Sequence, residues 1–192
     1  MSDLEKKVLD YVMEKIKWHK ETNEDHYDFW EQHIKYVYKE AIELARKYNA
    51  NEEVVRLGAL LHDIALIEKY GTREEHNVKG KELAEKILVS FNCPEDIMDR
   101  VLGCVLHHRS SKNAESIEEI CVADADILAH FDNISIVYDV MYTLRHMQLA
   151  EVRKEVKEYI EKDFNDLSPQ THNDFQDRYE IIKSVICGSD DF

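Results

Sequence analysis

The sequence places an imidazole and a carboxylate side by side in an otherwise apolar stretch. His62 and Asp63 interrupt the run 57–67, whose other side chains are aliphatic or small. A helix that is apolar all round belongs inside a domain, where an unpartnered polar group is costly. A metal ion would satisfy both side chains, because neutral imidazole and carboxylate are common metal ligands. For this pair taken alone, a buried His–Asp hydrogen bond is the simpler interpretation.

Other histidines and aspartates also fall on predicted helical faces that are otherwise apolar. They are His33, His76, His107, His108, Asp124 and Asp126. Gly80 lies one turn after His76 and would leave room beside it. Chance rarely places so many costly residues in inward positions, and one shared metal site would remove the cost for all of them. By contrast, His19 and His172 are predicted to be superficial.

Hydrophobic periodicity predicts the helices that position these residues. The predicted helices are 3–20 (ended by the polar patch 21–25), 27–48, 52–69, 73–91, one from Pro94 to His108, one after Ser116, and then 134–148, 150–163 and 169–187. Asn51 and Ser116 are expected N-caps, and Thr72 with Glu75 forms a candidate capping box. Since no repeat, linker or domain boundary is visible, the chain is predicted to be one all-α domain.

Composition and charge narrow the function classes. The chain has 192 residues, only five glycines and two prolines, 44% hydrophobic and 34% charged residues, which is typical of a soluble helical protein. Its net charge of −15 argues against duplex DNA or RNA as a partner, because phosphate contacts need clustered lysine and arginine. A small phosphate ester needs only a local site and is not excluded.

Cysteine usage and the chain's hydropathy predict the compartment. Cys93, Cys104, Cys121 and Cys187 are scattered without a C-x-x-C pair, so they are expected to be reduced and mostly buried thiols. The first residues do not look like a signal peptide, and no apolar run approaches the length of a membrane span. These features predict a cytoplasmic protein that makes no use of a membrane.

The order and spacing of the inward residues resemble the HD-domain superfamily of metal-dependent phosphohydrolases. The matching residues are His33, then the segment 60–64 containing His62 and Asp63, then the segment 124–128 containing Asp126. The resemblance covers about 27–132. It implies a helical HD-domain bundle around a metal site, with residues 1–192 as one domain, 27–132 as the core that carries the metal motif and 134–192 as C-terminal helices.

The resemblance also implies a set of metal ligands. His33, His62, Asp63 and Asp126 would hold a first divalent metal, while His76, His108 and His107 would help to hold a second, with Asp63 bridging the two. Asp126 matches the family pattern, and Asp124 is expected to support a ligand rather than to bind metal itself. The ligand types allow one or two ions of Mn, Fe, Mg, Ni or Zn and do not choose among them.

The implied activity is hydrolysis of a small phosphate ester, with a nucleotide as the leading class, by a metal-activated water. His62, Asp63 and Arg109 are the expected catalytic residues, and Lys79, Lys112 and Arg109 are candidate phosphate contacts. The chain has Ala65-Leu66 where many members have Gly-Lys, and it lacks the motifs of cyclic-di-GMP and diadenosine tetraphosphate hydrolases after His108. A di-iron oxygenase on the same site and a ligand-binding or regulatory protein with little turnover therefore stay open as alternatives.

Overall fold

The computed structural model describes residues 1–24 and 27–187, and all regular secondary structure within them is helical. The α-helices are α1 (Asp3–Thr22), α2 (Lys35–Tyr48), α3 (Glu52–Leu61), α4 (Ile64–Ile67), α5 (His76–Ser90), α6 (Glu95–His107), α7 (Ile117–Asp132), α8 (Ile134–Asp139), α9 (Leu149–Asp166) and α10 (Pro169–Cys187). Two π-helical turns, Trp30–Ile34 and Val140–Leu144, precede α2 and follow α8, and a short 3-10 turn spans Ser111–Asn113. The all-α prediction is confirmed. Asp25, at the end of the predicted polar patch, lies outside the described residues.

Helix α3 lies at the centre of the packing and contacts α1, α2, α6 and α7. Its side chains from Leu57 to Leu61 are fully buried, as the apolar run predicts. Each buried leucine contributes about 1.5–3 kcal/mol relative to an exposed one. Buried apolar packing therefore runs directly up to the His62–Asp63 pair.

The predicted helix 52–69 is interrupted at the pair that could do chemistry. Asn51 caps α3 as expected, since its side chain accepts hydrogen bonds from the backbone of Glu53 and Val54. The helix then ends at Leu61, and Asp63 leaves the helical region with φ −103° and ψ 16° before α4 resumes. This break lets the side chains of His62 and Asp63 converge, although neighbours on a regular helix point about 100° apart.

Small residues let the neighbouring helices approach α3 and the break closely. A Cβ atom on Gly58 would lie 2.7 Å from the Cβ atom of Cys104 in α6. A Cβ atom on Gly80 in α5 would lie 3.2 Å from Val105 and 3.5 Å from the carbonyl oxygen of His62. Helices α5 and α6 thus reach the backbone around His62.

The start of α5 differs from the prediction. Helix α5 begins at His76, and Glu75 precedes it without a side-chain cap. Instead of capping the backbone, the Thr72 hydroxyl donates to the Glu75 carboxylate at 3.2 Å. His76 consequently occupies the first turn, where backbone groups have no partner within the helix.

The last helices close over α7. Asp124 of α7 accepts hydrogen bonds from the backbone N–H (2.9 Å) and the hydroxyl (2.5 Å) of Ser168, directly before α10. The rings of Phe164 in α9 and Tyr179 in α10 stack with their centroids 3.8 Å apart. These contacts bring α9 alongside α7.

The cysteines that the structure describes are mostly buried thiols, as the sequence predicts. Cys104 and Cys121 are buried, Cys93 is partly buried and all three are free thiols, while the side chain of Cys187 lies outside the described part. Among the residues that the structure describes, no helix combines the length and apolarity needed to cross a bilayer. The division into a core at 27–132 and C-terminal helices at 134–192 stays a prediction.

Candidate metal centre

Six of the residues predicted to bind metal converge at one place. His33 comes from the π-helical turn before α2, His62 and Asp63 from the break between α3 and α4, His76 from the start of α5, His108 from the residue after α6, and Asp126 from the middle of α7. Ligand atoms of His33, His62 and Asp63 lie within 4.8 Å of one another, as do those of Asp63, His76 and His108. Five of the six side chains are thus on irregular turns or at helix ends.

Asp63 lies between two pairs of histidines. Its Oδ2 atom faces one pair, at 3.6 Å from His62 Nε2 and 3.8 Å from His33 Nε2. Its Oδ1 atom faces the other pair, at 3.3 Å from His76 Nε2 and 3.8 Å from His108 Nε2. One carboxylate therefore offers a separate oxygen to each half of the cluster.

Backbone carbonyl groups determine which ring nitrogen of three histidines is free. The Nδ1 atoms of His62, His76 and His108 lie 2.8, 2.6 and 2.7 Å from the carbonyl oxygen three residues earlier. A carbonyl oxygen only accepts, so each Nδ1 carries a proton and donates it. In the neutral ring the Nε2 atom is then an unprotonated ligand atom, oriented as metal-binding histidines usually are.

The Nε2 atoms of these rings point at one another. They are 2.9 Å apart in the pair His76–His108 and 3.1 Å apart in the pair His33–His62. With both rings of a pair neutral, these lone pairs would repel one another, so each gap must hold a cation, either a metal ion or the proton of one imidazolium. Ligands at about 2.1 Å from one metal and at right angles to each other would be about 3 Å apart, so the donor set fits a metal ion.

The charges of the cluster also favour cation binding. Burial raises the pKa of Asp63, but the charge of His62 and a hydrogen bond with His76 outweigh it and hold that pKa well below its usual value. The pKa of Asp126 is lowered in the same way, against its burial, by a hydrogen bond with His33 at 3.0 Å. Burial lowers the pKa of His108 to about 4. Both carboxylates are thus ionised and His108 is neutral at pH 7. Against the burial of the rings, Asp126 raises the pKa of His33 and Asp63 raises that of His76.

The structure does not bring His107 and Asp124 into this cluster. His107 Nδ1 instead lies 2.7 Å from a carboxylate oxygen of Glu119 in α7, because the last turn of α6 aims successive side chains in different directions. Asp124 bonds with Ser168 rather than with a ligand, and Asp126 lies 3.0 Å from His33. His107 as a ligand and Asp124 as the support of a ligand are thus not among the predicted roles whose residues the structure brings together.

The three predicted phosphate contacts have different surroundings in the structure. The ammonium groups of Lys79 and Lys112 pair with Glu82 at 2.8 Å and with Asp166 at 2.5 Å, and their role as phosphate contacts stays a prediction. Arg109 donates to the carbonyl oxygen of Glu74 at 2.7 Å. Its charge is a minor influence on His76, whose pKa is lowered by burial but raised overall by Asp63. Of the three predicted cations, Arg109 is the one whose charge reaches the cluster.

Two residues at the site were missed by sequence reasoning. His130 follows Asp126 by one helical turn, and ligand atoms of His33, Asp126 and His130 lie within 4.8 Å of one another. The i, i+4 spacing from Asp126 could have revealed it. Arg73, in the loop before α5, is close enough for its charge to act on His33 and Tyr159. No spacing rule indicates this arginine.

His19 lies away from the site and differs from its prediction. It is buried and donates to the carbonyl oxygen of Ile67 at 2.8 Å, so its prediction as superficial was wrong.

Solved structures with the same fold come from several bacteria. An HD-superfamily hydrolase from Bacillus thuringiensis has a TM-score of 0.66 and 19% identity, over 95% of this chain and 94% of that one. A protein from Listeria innocua has a TM-score of 0.63 and 17% identity, over 91% and 93%. A predicted HD superfamily hydrolase from an uncultured Thermotogales bacterium has a TM-score of 0.58 and 20% identity, over 92% and 91%. At these identities the similarity shows the fold alone.

The family is shown by the sequence itself. No protein of curated function matches the chain significantly. The family model described as the HD domain matches residues 30–130, which is more than half of the chain and includes all six converging residues. The chain therefore belongs to the HD domain family.

Proposed function

We propose that this protein is a metal-dependent phosphohydrolase that acts on a small phosphate ester, with a nucleotide as the leading class. The observation that carries the proposal is the pair of facing Nε2 atoms of His76 and His108, 2.9 Å apart with both Nδ1 atoms occupied by carbonyl groups. Membership of the HD domain family favours the same kind of centre.

The proposed ligands form two halves that share Asp63. His33, His62, Asp63 and Asp126 would hold one divalent metal, and His76 and His108 with the other oxygen of Asp63 would hold a second. When bound, such a metal supplies an acidified water and takes up charge that develops on the phosphoryl group. The carbonyl groups behind His62, His76 and His108 keep those rings in the ligand tautomer.

Arginines at the edge of the cluster suit an anionic substrate. The charge of Arg73 reaches His33 and that of Arg109 reaches His76, so the two arginines serve opposite halves of the centre. Within the described part of the chain, Arg73 forms no ion pair. A cation of this kind in a chain of net charge −15 is expected to bind phosphate, since arginine donates to two phosphate oxygens at once.

A phosphate-release assay tests the proposal. The wild type would be loaded in turn with Mn, Fe, Mg, Ni and Zn and incubated with nucleoside mono-, di- and triphosphates and sugar phosphates. We expect phosphate release from at least one ester and a loss of more than about a hundredfold in Asp63→Asn, because even residues that only orient metal ligands cost about 10–100-fold. Asp10→Asn, an exposed aspartate on α1, is the matched control and should keep full activity.

Three outcomes count against hydrolysis. Wild-type protein that binds metal but releases no phosphate from any ester would refute the proposed function. Oxygen uptake by the iron-loaded protein would support the oxygenase alternative instead. Metal binding with neither activity would favour the ligand-binding alternative. Circular dichroism of Asp63→Asn must match the wild type for its loss of activity to count.

A further inference from the structure

We propose that His130 is a further metal ligand, which binds the same ion as His33 and Asp126. This inference rests on the metal centre of the proposed function and adds to its predicted ligand set. The three residues satisfy the same distance relation as the two predicted ligand groups, with ligand atoms within 4.8 Å of one another. The rings of His130 and His33 are nearly parallel, with centroids 5.6 Å apart.

Helix α9 orients the His130 ring. Its Nδ1 atom lies 2.9 Å from a carboxylate oxygen of Asp163 and 3.1 Å from the hydroxyl of Tyr159. An ionised carboxylate only accepts, so Nδ1 carries the proton and Nε2 is left with a bare lone pair. A carboxylate, a histidine and a metal in this order form a recurrent arrangement that fixes the ring and raises its basicity.

The burial of Asp163 supports a dedicated role. Its side chain is only 9% exposed, and His130 is its ion-pair partner in the described structure. Their hydrogen bond joins α9 to α7 across 33 positions and satisfies the buried carboxylate, while the Nε2 atom of the ring keeps its lone pair for a ligand.

Metal affinity measured without substrate tests the inference. Co²⁺ and Zn²⁺ would be titrated against a coloured chelator for the wild type, His130→Ala and Asp163→Asn. We expect the Kd of the more tightly bound metal ion to rise about 10–100-fold in both variants. Asn at 163 can donate to Nδ1 and thereby move the ring proton to Nε2, so this variant should act without removing the ligand. The visible spectrum of bound Co²⁺ should change in His130→Ala, because the ion loses a nitrogen ligand.

The control is His172→Gln, which alters a partly buried histidine whose ring packs against Phe164 in the C-terminal helices. It should keep the wild-type Kd. Melting temperatures in EDTA show whether each variant is folded, and a variant that fails to fold is replaced by His130→Gln. A wild-type Kd and an unchanged Co²⁺ spectrum in His130→Ala would overturn the inference, and if hydrolysis were lost at the same time, His130 would act on substrate. Wild-type protein that binds metal through His130 yet hydrolyses no ester would leave the inference standing and refute the proposed function.

Discussion

Glu40 and Asp132 form a buried carboxyl pair that should make the stability of this protein depend on pH. Glu40 of α2 is 5% exposed, and its carboxyl group hydrogen-bonds with that of Asp132 at the end of α7. Burial and this neighbouring carboxylate raise the pKa of Glu40 from 4.5 to about 7, although Lys39 lies 3.2 Å away. Below pH 7 the pair therefore holds a proton that free carboxyl groups would release, and it joins α2, which follows His33, to α7, which carries Asp126.

The direction of the effect follows from proton linkage. Between pH 4.5 and 7 the folded protein holds a proton on Glu40 that the unfolded chain has released, so the free energy of unfolding falls as the pH rises. A rise of the pKa from 4.5 to about 7 corresponds to about 3 kcal/mol of lost stability once the pH exceeds 7. Glu40→Gln removes this loss and can still donate to Asp132.

Urea unfolding of the metal-free protein, followed by circular dichroism at pH 5 and pH 8, checks this expectation. Glu40→Gln should gain about 2–3 kcal/mol over the wild type between the two pH values, through loss of the linked proton. Glu43→Gln, which changes an exposed glutamate on the same helix, should stay within about 0.5 kcal/mol of the wild type at both. A stability difference for Glu40→Gln that is equal at pH 5 and pH 8 would refute the shared proton.

Two further predictions test helix packing and phosphate binding. Gly58→Ala places a methyl group 2.7 Å from the Cβ atom of Cys104. It should therefore lower the free energy of unfolding, measured by urea titration, by about 1–3 kcal/mol. An unchanged midpoint of unfolding would contradict the close approach of α3 and α6. Arg73→Gln should raise the KM for the phosphate ester identified in the release assay about tenfold, because a hydrogen bond to a charged group contributes about 1.5–3 kcal/mol. Steady-state kinetics measure this change, and an unchanged KM would exclude Arg73 as a phosphate contact.

Much of the fold and part of the site could be predicted from local sequence. Periodicity indicated the helices, and Asn51 and Ser116 cap α3 and α7 as expected because an N-cap depends only on a side chain and the backbone two or three residues later. Periodicity did not reveal the break at His62 and Asp63. An apolar run predicts one helix, and the helices that pack against the break, α5 and α6, come later in the sequence.

The candidate site also contains residues whose roles the local sequence could not distinguish. His107 and His108 are adjacent and chemically equal in the sequence, yet one ring pairs with Glu119 and the other faces His76. Lys79 and Lys112 were predicted as phosphate contacts, and the structure pairs them with the carboxylates of Glu82 and Asp166. A helical pattern gives the direction of a side chain only within a regular helix. His107 and Lys112 lie at the end of a helix or outside one, and their partners Glu119 and Asp166 are distant in the sequence, whereas Lys79 pairs with Glu82 one turn away on α5.

By itself, the sequence determined that the chain is helical, that it carries an HD motif, and that His33, His62, Asp63 and Asp126 are candidate ligands. Their types, order and apolar surroundings are local properties that can be read without coordinates. Only the tertiary structure decided which neighbours face the centre, and only it brought His130 and its partner Asp163 to the same place. The reason is physical, because a hydrogen bond between residues 33 positions apart depends on how α7 and α9 pack, and no local pattern records that packing.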